Sequence, residues 1–184
     1  AGYGIPMVTT SEVFDRWGRS RRGPIDPTRL ERETVAREVF DAFANPPEDF
    51  DVGGFTSWLD LAASTRDVRL DNVRRMHEAG VTILAGSDVQ SGVFPGASLH
   101  RELAILVDAG FTPAEAIRAA TLDPARFLAN GGEPDSGIIK VGKRADLLLV
   151  NGDPTRDISA LADIREVFLQ GVPIHRTAVT AATP

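Results

Sequence analysis

The chain has 184 residues, 42% of them hydrophobic and 25% charged, a composition typical of a globular protein rather than a disordered, fibrous or membrane one. Its formal net charge of -6 argues against nucleic acid as a partner, because phosphate binding requires clustered Lys and Arg. The sequence has no Cys, which excludes disulfides and thiolate metal sites. No apolar run reaches the roughly 18 residues of a membrane-spanning helix, so no membrane partner is expected.

The N-terminal part combines a short apolar segment with a long polar one. The N-terminus lacks an initiator Met and resembles no signal peptide, so we expect a fragment or a processed product. Residues 5–8 predict a short buried strand. A basic cluster follows, which we interpret as a solvated loop, with contact to an anionic substrate as the alternative. Its members are Arg16, Arg19, Arg21 and Arg22.

Two further features precede the middle of the chain. Apolar residues at helical spacing predict one helix over residues 29–44, with Thr28 in its start signal. The glycine- and carboxylate-bearing segment 48–57 predicts a loop. The aromatic residues in and beside it either cover a pocket as a lid or pack into the core, and we favour packing. These residues are Phe50, Phe55 and Trp58.

The middle of the chain alternates helix and strand. A helix over residues 66–79 is predicted to end at Gly80, because glycine is common just after helix ends. The continuous apolar run 81–85 is typical of a strand buried on both faces, as in parallel sheets. A polar loop, 86–92, follows. The next predicted helices cover residues 98–109, 112–121 and 125–129. The second of them begins with the capping box Thr112-Pro113-Ala114-Glu115.

The periodicity of apolar residues changes from helical to alternating after residues 130–132, so a domain boundary is predicted there. Residues 137–150 predict two short strands, and residues 165–176 predict a strand and a hairpin. The predicted organisation is therefore a domain over residues 1–130, part of a second over 131–176, and a frayed tail over 177–184.

Asp88 lies in the loop that directly follows the strand 81–85. In barrels of alternating parallel strands and helices, catalytic groups project from the carboxyl ends of the strands. Asp also caps turns through its side chain in many loops. From spacing alone both interpretations of Asp88 stay open.

Several ordered motifs resemble the end of the amidohydrolase superfamily barrel, and most closely its imidazolonepropionase-like and prolidase-like members. They are AGSD at residues 85–88, GASLHREL at 96–103, AGFTPAEAIRAAT at 109–121 and GIIKVGKRADLLLVNGDP at 137–154. The resemblance covers residues 81–176 well and the preceding region only loosely. It implies an α/β fold: the C-terminal part of a (β/α)8 TIM-type barrel, with 5–8 and 81–85 as strands seven and eight, plus part of a small β-sandwich domain.

The resemblance also implies a chemistry. In this family the aspartate after strand eight, here Asp88, contacts a divalent metal, most commonly zinc as one or two ions, and accepts a proton from the metal-activated water. Such a metal lowers the pKa of water and polarises a carbonyl, while the carboxylate passes the proton to the leaving group. The implied activity is hydrolysis of a carbon–nitrogen bond, in amides or cyclic amides.

The histidine ligands of the family have no counterparts in this chain. The family takes them from a His-x-His pair after strand one and single His residues after strands five and six, with a Lys or Glu after strand four. His77 is interpreted as a surface residue at a helix end, and His175 as structural. His100 either orients the Asp88 loop, which we favour, or touches substrate. Most metal ligands are therefore expected outside this chain.

Further expectations concern partners. The substrate is expected to be a small molecule, contacted by Ser87, Gln90, Ser91 and Phe94 of the loop and by His100. The remaining N-terminal part of the same protein is expected to complete the barrel, and a homo-oligomer is expected. Two other functions stay open: a catalytically silent relative with an assembly or binding role, and a free-standing β-rich binding module.

Overall fold

A computed structural model of the chain describes residues 4–44, 55–90 and 92–177. The strands are β1 Met7–Val8, β2 Ile83–Leu84, β3 Leu147–Val150, β4 Ile164–Leu169 and β5 Val172–Ile174. The helices are α1 Ser11–Ser20, α2 Arg29–Thr34, α3 Arg37–Ala44, α4 Phe55–Ser64, α5 Arg66–Glu78, α6 Ala97–Asp108, α7 Pro113–Ala120 and α8 Leu122–Leu128, with a 3₁₀ helix at Ile158–Ala162. None of the described helices is long and apolar enough to cross a membrane.

Strands β1 and β2 pair in parallel, with Met7 opposite Ile83 and Val8 opposite Leu84. The buried strand predicted from the run 81–85 is confirmed in β2, although it is shorter than the run. The prediction that β1 is buried is wrong, because the side chains of Met7 and Val8 are about half exposed. In the described part of the chain, packing covers β2 but leaves the sides of β1 open.

Helix α1 replaces the loop predicted around the basic cluster. Arg16 lies in the middle of this helix and is only 2% exposed. It is paired with Glu31 at 3.1 Å and covered by the ring of Phe40 at 5.1 Å. The prediction of a solvated loop is therefore wrong for Arg16, because the charge of Glu31 and the aromatic ring compensate the cost of burying its guanidinium. Arg21 and Arg22 lie beyond the helix end and are exposed.

The helix predicted over residues 29–44 is broken into α2 and α3. Its start is confirmed, because Thr28 and Glu31 form a reciprocal capping box. The break comes at Val35, whose backbone is extended (φ -127°, ψ 129°). The preceding residue is also β-branched, and such side chains lower helix propensity by losing rotamer freedom.

Helix α4 begins inside the segment predicted to be a loop. Residues 48–54, including Phe50, lie outside the described residues, and residues 55–57 are helical. The Trp58 ring packs against Phe14 and Trp17, with centroid distances of 5.3 and 4.7 Å. Core packing is therefore the correct interpretation for Trp58. The close approach of α1 and α4 requires Gly18, since a Cβ there would lie 3.0 Å from the Ala63 backbone.

The main hydrophobic core lies between α5, β2, α6 and α7. Its buried members are Val73, Ile83, Leu103, Leu106, Ala109, Phe111, Ala116 and Ala119. The helices predicted in this region are confirmed to within a few residues. Gly80 and Gly110 follow α5 and α6 with φ values of 76° and 101°, a left-handed conformation that favours glycine after a helix. The predicted capping box at Thr112 and Glu115 is present.

The C-terminal residues form an antiparallel sheet in the order β3-β4-β5. The predicted hairpin is confirmed, and its turn consists of Gln170 and Gly171 with φ values of 52° and 81°. The strand predicted before residue 142 is wrong, because residues 137–141 have no strand structure and Val141 is fully exposed. Apolar alternation alone does not form a strand unless a neighbouring strand pairs with it. Apart from Thr177, the predicted tail lies outside the described residues.

Candidate active site

Asp88 lies in the loop after β2, on the exposed side of the strand end. Its backbone has a φ of 48°, a left-handed conformation that Asp tolerates better than most residues but that still carries strain. Its Oδ2 accepts a hydrogen bond from Gln90 Nε2 at 2.9 Å. Among the described residues, the donor to this carboxylate is thus the side chain of Gln90 and not a backbone N–H. A carboxylate that caps a turn accepts from a backbone N–H instead.

Ser87 connects this loop to helix α6. Ser98, in the first turn of α6 and buried, donates from its Oγ to Ser87 Oγ at 2.9 Å. Gly86 allows the two strand ends to approach, since a Cβ at this position would lie 2.6 Å from Val8 Cγ1. The start of the loop is therefore held at Ser87 by a helix and at Gly86 by the neighbouring strand.

Glu102 is a fully buried carboxyl group one turn further along α6. It accepts hydrogen bonds from Thr9 Oγ1 at 2.6 Å and from the backbone N–H of Glu12 at 2.7 Å. Burial raises the pKa of Glu102, while the bonds from Thr9 and from the backbone of Ser11 and Glu12 oppose the rise. The amide groups at the start of α1, which a helix leaves without intrahelical partners, are thus satisfied by a side chain of α6.

Glu12 links α1 to α6 through an ion-pair network. It is 1% exposed, and Arg101 Nε lies 3.0 Å from its Oε1. Asp15, one turn later on α1, pairs with Arg19 at 3.0 Å and with Arg66 at 2.7 Å. Burial raises the pKa of Glu12 to about 7, against the opposing charges of Arg101 and Arg19. The network holds α1 against the helices on either side.

Phe94 belongs to a buried aromatic cluster. Its ring stacks on Phe40 at a centroid distance of 5.5 Å, and the Arg16 guanidinium lies 5.7 Å from its centre. The guanidinium nitrogens of Arg16 have no hydrogen-bond acceptor of ideal geometry among the described residues. Phe94 is therefore a buried member of this cluster. Ser91 lies outside the described residues.

His100 faces a cavity of about 240 Å³ between α6, the start of α2 and the 3₁₀ helix. Its Nδ1 is buried and has no hydrogen-bond partner in the described part of the chain. Burial, followed by the nearby charge of Arg176, lowers the pKa of His100, so the neutral imidazole is favoured. The contact from α6 to the loop of Asp88 is made by Ser98, the residue two positions earlier.

The other two histidines lie away from this loop. His77 stacks on Phe111 at 3.8 Å and lies 3.7 Å from Glu115 Oε1, at the end of α5 as predicted. His175 is exposed and follows β5. Within residues 4–44, 55–90 and 92–177, no group of three or more His, Asp or Glu side chains is arranged to hold a metal ion. These residues alone do not fit a metal site.

Sequence reasoning did not single out Ser98 and Glu102. A signal was present, because both occupy the helical stripe that also carries Ile105 and Leu106, which are buried. A charged residue on an apolar stripe predicts a buried group with dedicated partners. Glu12 offered no such signal, since α1 itself was not predicted.

Residues 54–174 match the model of the amidohydrolase family. An imidazolonepropionase from Deinococcus deserti is 32% identical over 105 residues, 55% of this chain and 26% of that protein. An N-substituted formamide deformylase from Arthrobacter pascens is 32% identical over 137 residues, 69% of this chain and 24% of that protein. The crystal structure of a putative prolidase from Bifidobacterium longum superposes with a TM-score of 0.57 and 35% identity, over 70% of this chain and 33% of that one.

The chain thus spans about a quarter of the length of these curated relatives. The matched residues include β2, Asp88 and α6, which belong to the site described above, and also the hairpin β4–β5. The chain belongs to the amidohydrolase family.

Proposed function

We propose that this chain is the C-terminal part of a metal-dependent amidohydrolase that hydrolyses a carbon–nitrogen bond of an amide or cyclic amide. The observation that carries the proposal is the position of Asp88, exposed at the carboxyl end of a buried parallel strand within the family match. The named relatives hydrolyse substrates of this bond type, to judge from imidazolonepropionase and N-substituted formamide deformylase.

Asp88 is proposed as the proton acceptor. Its carboxylate accepts the proton of the attacking water and returns it to the departing nitrogen, so that an amine leaves rather than an unstable anion. The bond from Gln90 orients one oxygen and leaves the other available. A divalent metal, which we propose to be zinc, would polarise the scissile carbonyl when bound. Asp88 is the ligand that this chain would offer it, and the other ligands would come from outside the chain.

We propose that residues 1–130 form the end of a (β/α)8 barrel, with β1 and β2 as strands seven and eight. The parallel pairing of β1 with β2 and the helices between them support this assignment. Residues 131–176 are proposed as part of a small β-sandwich, supported by the antiparallel sheet β3-β4-β5. The N-terminal remainder of the protein would supply the missing strands.

The substrate is proposed to be a small molecule that contacts Ser87 and Gln90, which flank Asp88 on the exposed loop. Ser91 is retained as a candidate on the same loop. Phe94 packs in the buried aromatic cluster and His100 faces the cavity beside α2 and the 3₁₀ helix, so the packing supports structural roles for both rather than contact with substrate.

The test is Asp88→Asn in the natural protein that contains these residues. We expect turnover of N-formyl amines or cyclic amides to fall by about 10²–10⁴-fold, the usual contribution of a positioned proton acceptor. The matched control is Asp71→Asn on α5, an exposed acid paired with Arg74, which should leave turnover unchanged. Unaltered turnover in Asp88→Asn would remove the assigned role, and an inactive wild type would favour the catalytically silent alternative.

A further inference from the structure

One face of α6 contacts both strand-end loops. Ser98 and Glu102 are four residues apart, so they lie one above the other on the same side of the helix. Both side chains are buried, and Glu102 has no exposed surface. Each makes its hydrogen bonds to a different loop.

Glu102 holds the loop after β1. Thr9, the residue that follows the strand, donates its hydroxyl to Oε1, and the N–H of Glu12 donates to Oε2. Thr10 occupies the N-cap position of α1 with a left-handed φ of 44° and makes no capping bond with its side chain. The carboxylate of α6 therefore takes the place of a local cap, which joins the end of β1 to α6.

Ser98 holds the loop after β2. Its hydroxyl donates to that of Ser87, the residue directly before Asp88. The left-handed backbone of Asp88 needs such support, because a strained conformation persists only where the surrounding structure fixes it. The loop after β1 lies near the loop after β2, because Gly86 lies against the side chain of Val8 at the end of β1.

The geometry points to Ser98 and Glu102 as positioning residues for Asp88, which together fix the ends of β1 and β2 relative to each other. Neither residue contacts substrate in this scheme; Ser98 acts through Ser87, and Glu102 through Thr9 and the start of α1. This inference rests on the proposed function for its catalytic consequence. Its structural part stands on the hydrogen bonds alone.

The structural part is tested by hydrogen exchange in the natural protein. Ser98→Ala should speed exchange of the amides in the loop after β2, and Glu102→Gln that of the amides at the start of α1. The matched control is Glu115→Gln, because Glu115 also caps a helix start, that of α7, but contacts neither strand end. Uniform acceleration across the chain, or no local change, would overturn the inference.

The catalytic part is tested by a double-mutant cycle of Ser98→Ala and Ser87→Ala. Ser98→Ala should lower kcat about five- to tenfold with KM unchanged, the effect of losing one hydrogen bond. Ser87→Ala should lower kcat to the same extent and also raise KM, because Ser87 is proposed to contact the substrate. The kcat of the double variant should be no lower than that of either single one, because both substitutions remove the same bond. Ser98→Thr, which keeps the hydroxyl, should restore kcat. Additive losses of kcat, a rise in KM without a loss of kcat in Ser98→Ala, or no rescue by Thr would reject the positioning role.

The two arms separate the failure of the inference from the failure of the proposed function. A wild-type protein without hydrolase activity, combined with the local exchange changes, would reject the function and keep the structural anchor. An active wild type with unchanged exchange in Ser98→Ala and Glu102→Gln would keep the function and reject the anchor.

Discussion

At the scale of single residues, two buried carboxyl groups, Glu12 and Glu102, connect α1 to α6 beside the candidate site. Glu12 has a pKa of about 7 in the folded state, compared with the ordinary value of 4.5. Glu102 shifts in the same direction for the same reason, burial. Such groups keep their protons more readily in the folded chain than in the unfolded one, so folding and pH are linked.

We predict that the folded state loses stability as pH rises from about 4.5 to about 7. Over this range the unfolded chain has released the proton of Glu12 while the folded chain still binds it, which corresponds to a loss on the order of 3 kcal/mol. The measurement is urea unfolding at several pH values in this range. Glu12→Gln should flatten the dependence, and a steep slope that survives in this variant would contradict the assignment.

Some residues at and around the candidate site could be predicted from the sequence, and others could not. Asp88 is a candidate from sequence because strand ends are common catalytic positions and because the motif around it is specific. Glu102 was detectable as a charge on an apolar stripe of α6. Arg16 was not, because its burial depends on Glu31, Phe40 and Phe94, and contacts over such separations are set by the packing of whole helices rather than by local sequence.

At the scale of helices and strands, the local sequence predicted the helices whose ends carry their own capping residues. Gly80 and Gly110 follow the ends of α5 and α6, and Thr112 caps the start of α7, so backbone chemistry fixes these boundaries. Helix α1 lacks such a signal, since its start is capped from α6 by Glu102. The prediction of a strand over residues 137–141 was wrong because a strand forms only where a neighbouring strand pairs with it. Local strand propensity is not enough.

We predict that Gly137→Ala destabilises the chain more than Gly142→Ala. Both glycines have positive φ, 77° and 85°, so each substitution costs about 1–2 kcal/mol in backbone strain. A Cβ at Gly137 would also lie 2.5 Å from the Thr121 carbonyl oxygen, whereas the space at Gly142 is open. Overpacking adds roughly 1–3 kcal/mol. Thermal unfolding of the two variants measures the difference, and equal losses would refute the close contact.

At the scale of the whole molecule, apolar side chains remain exposed on both sheets. They include Ile5, Met7 and Val8 around β1, and Leu147, Leu148, Leu149, Val172 and Ile174 in the C-terminal sheet. Strands with apolar residues on successive positions are normally covered on both faces. This exposure is consistent with a proposed remainder of the protein that covers them.

We predict that the 184-residue chain alone self-associates, because exposed apolar strands are sites of edge-to-edge pairing. Gel filtration with light scattering should give a broad or oligomeric distribution. The natural protein should instead give a discrete species, which we propose is a homo-oligomer. A monodisperse monomer of the short chain with cooperative unfolding would support a free-standing module instead.

A second prediction concerns metal content. After dialysis the 184-residue chain should retain far less than one zinc per molecule, since one carboxylate does not make a zinc site. The natural protein should retain one or two, because its proposed N-terminal remainder would supply the other ligands. Metal analysis of both proteins decides this, and stoichiometric zinc in the short chain would show that its own residues complete a site.

The parallel pairing of β1 with β2 has a consequence for how this chain is made. Met7 pairs with Ile83, 76 positions later (83 - 7). At a synthesis rate of about 5–20 residues per second, β1 waits roughly 4–15 s on the ribosome before its partner strand emerges. During that interval Met7 and Val8 lack β2 as a pairing partner, so this edge of β1 is open to misassociation. Slower translation of the residues between β1 and β2 would lengthen this interval. A chaperone bound to β1 would protect the strand until β2 emerges.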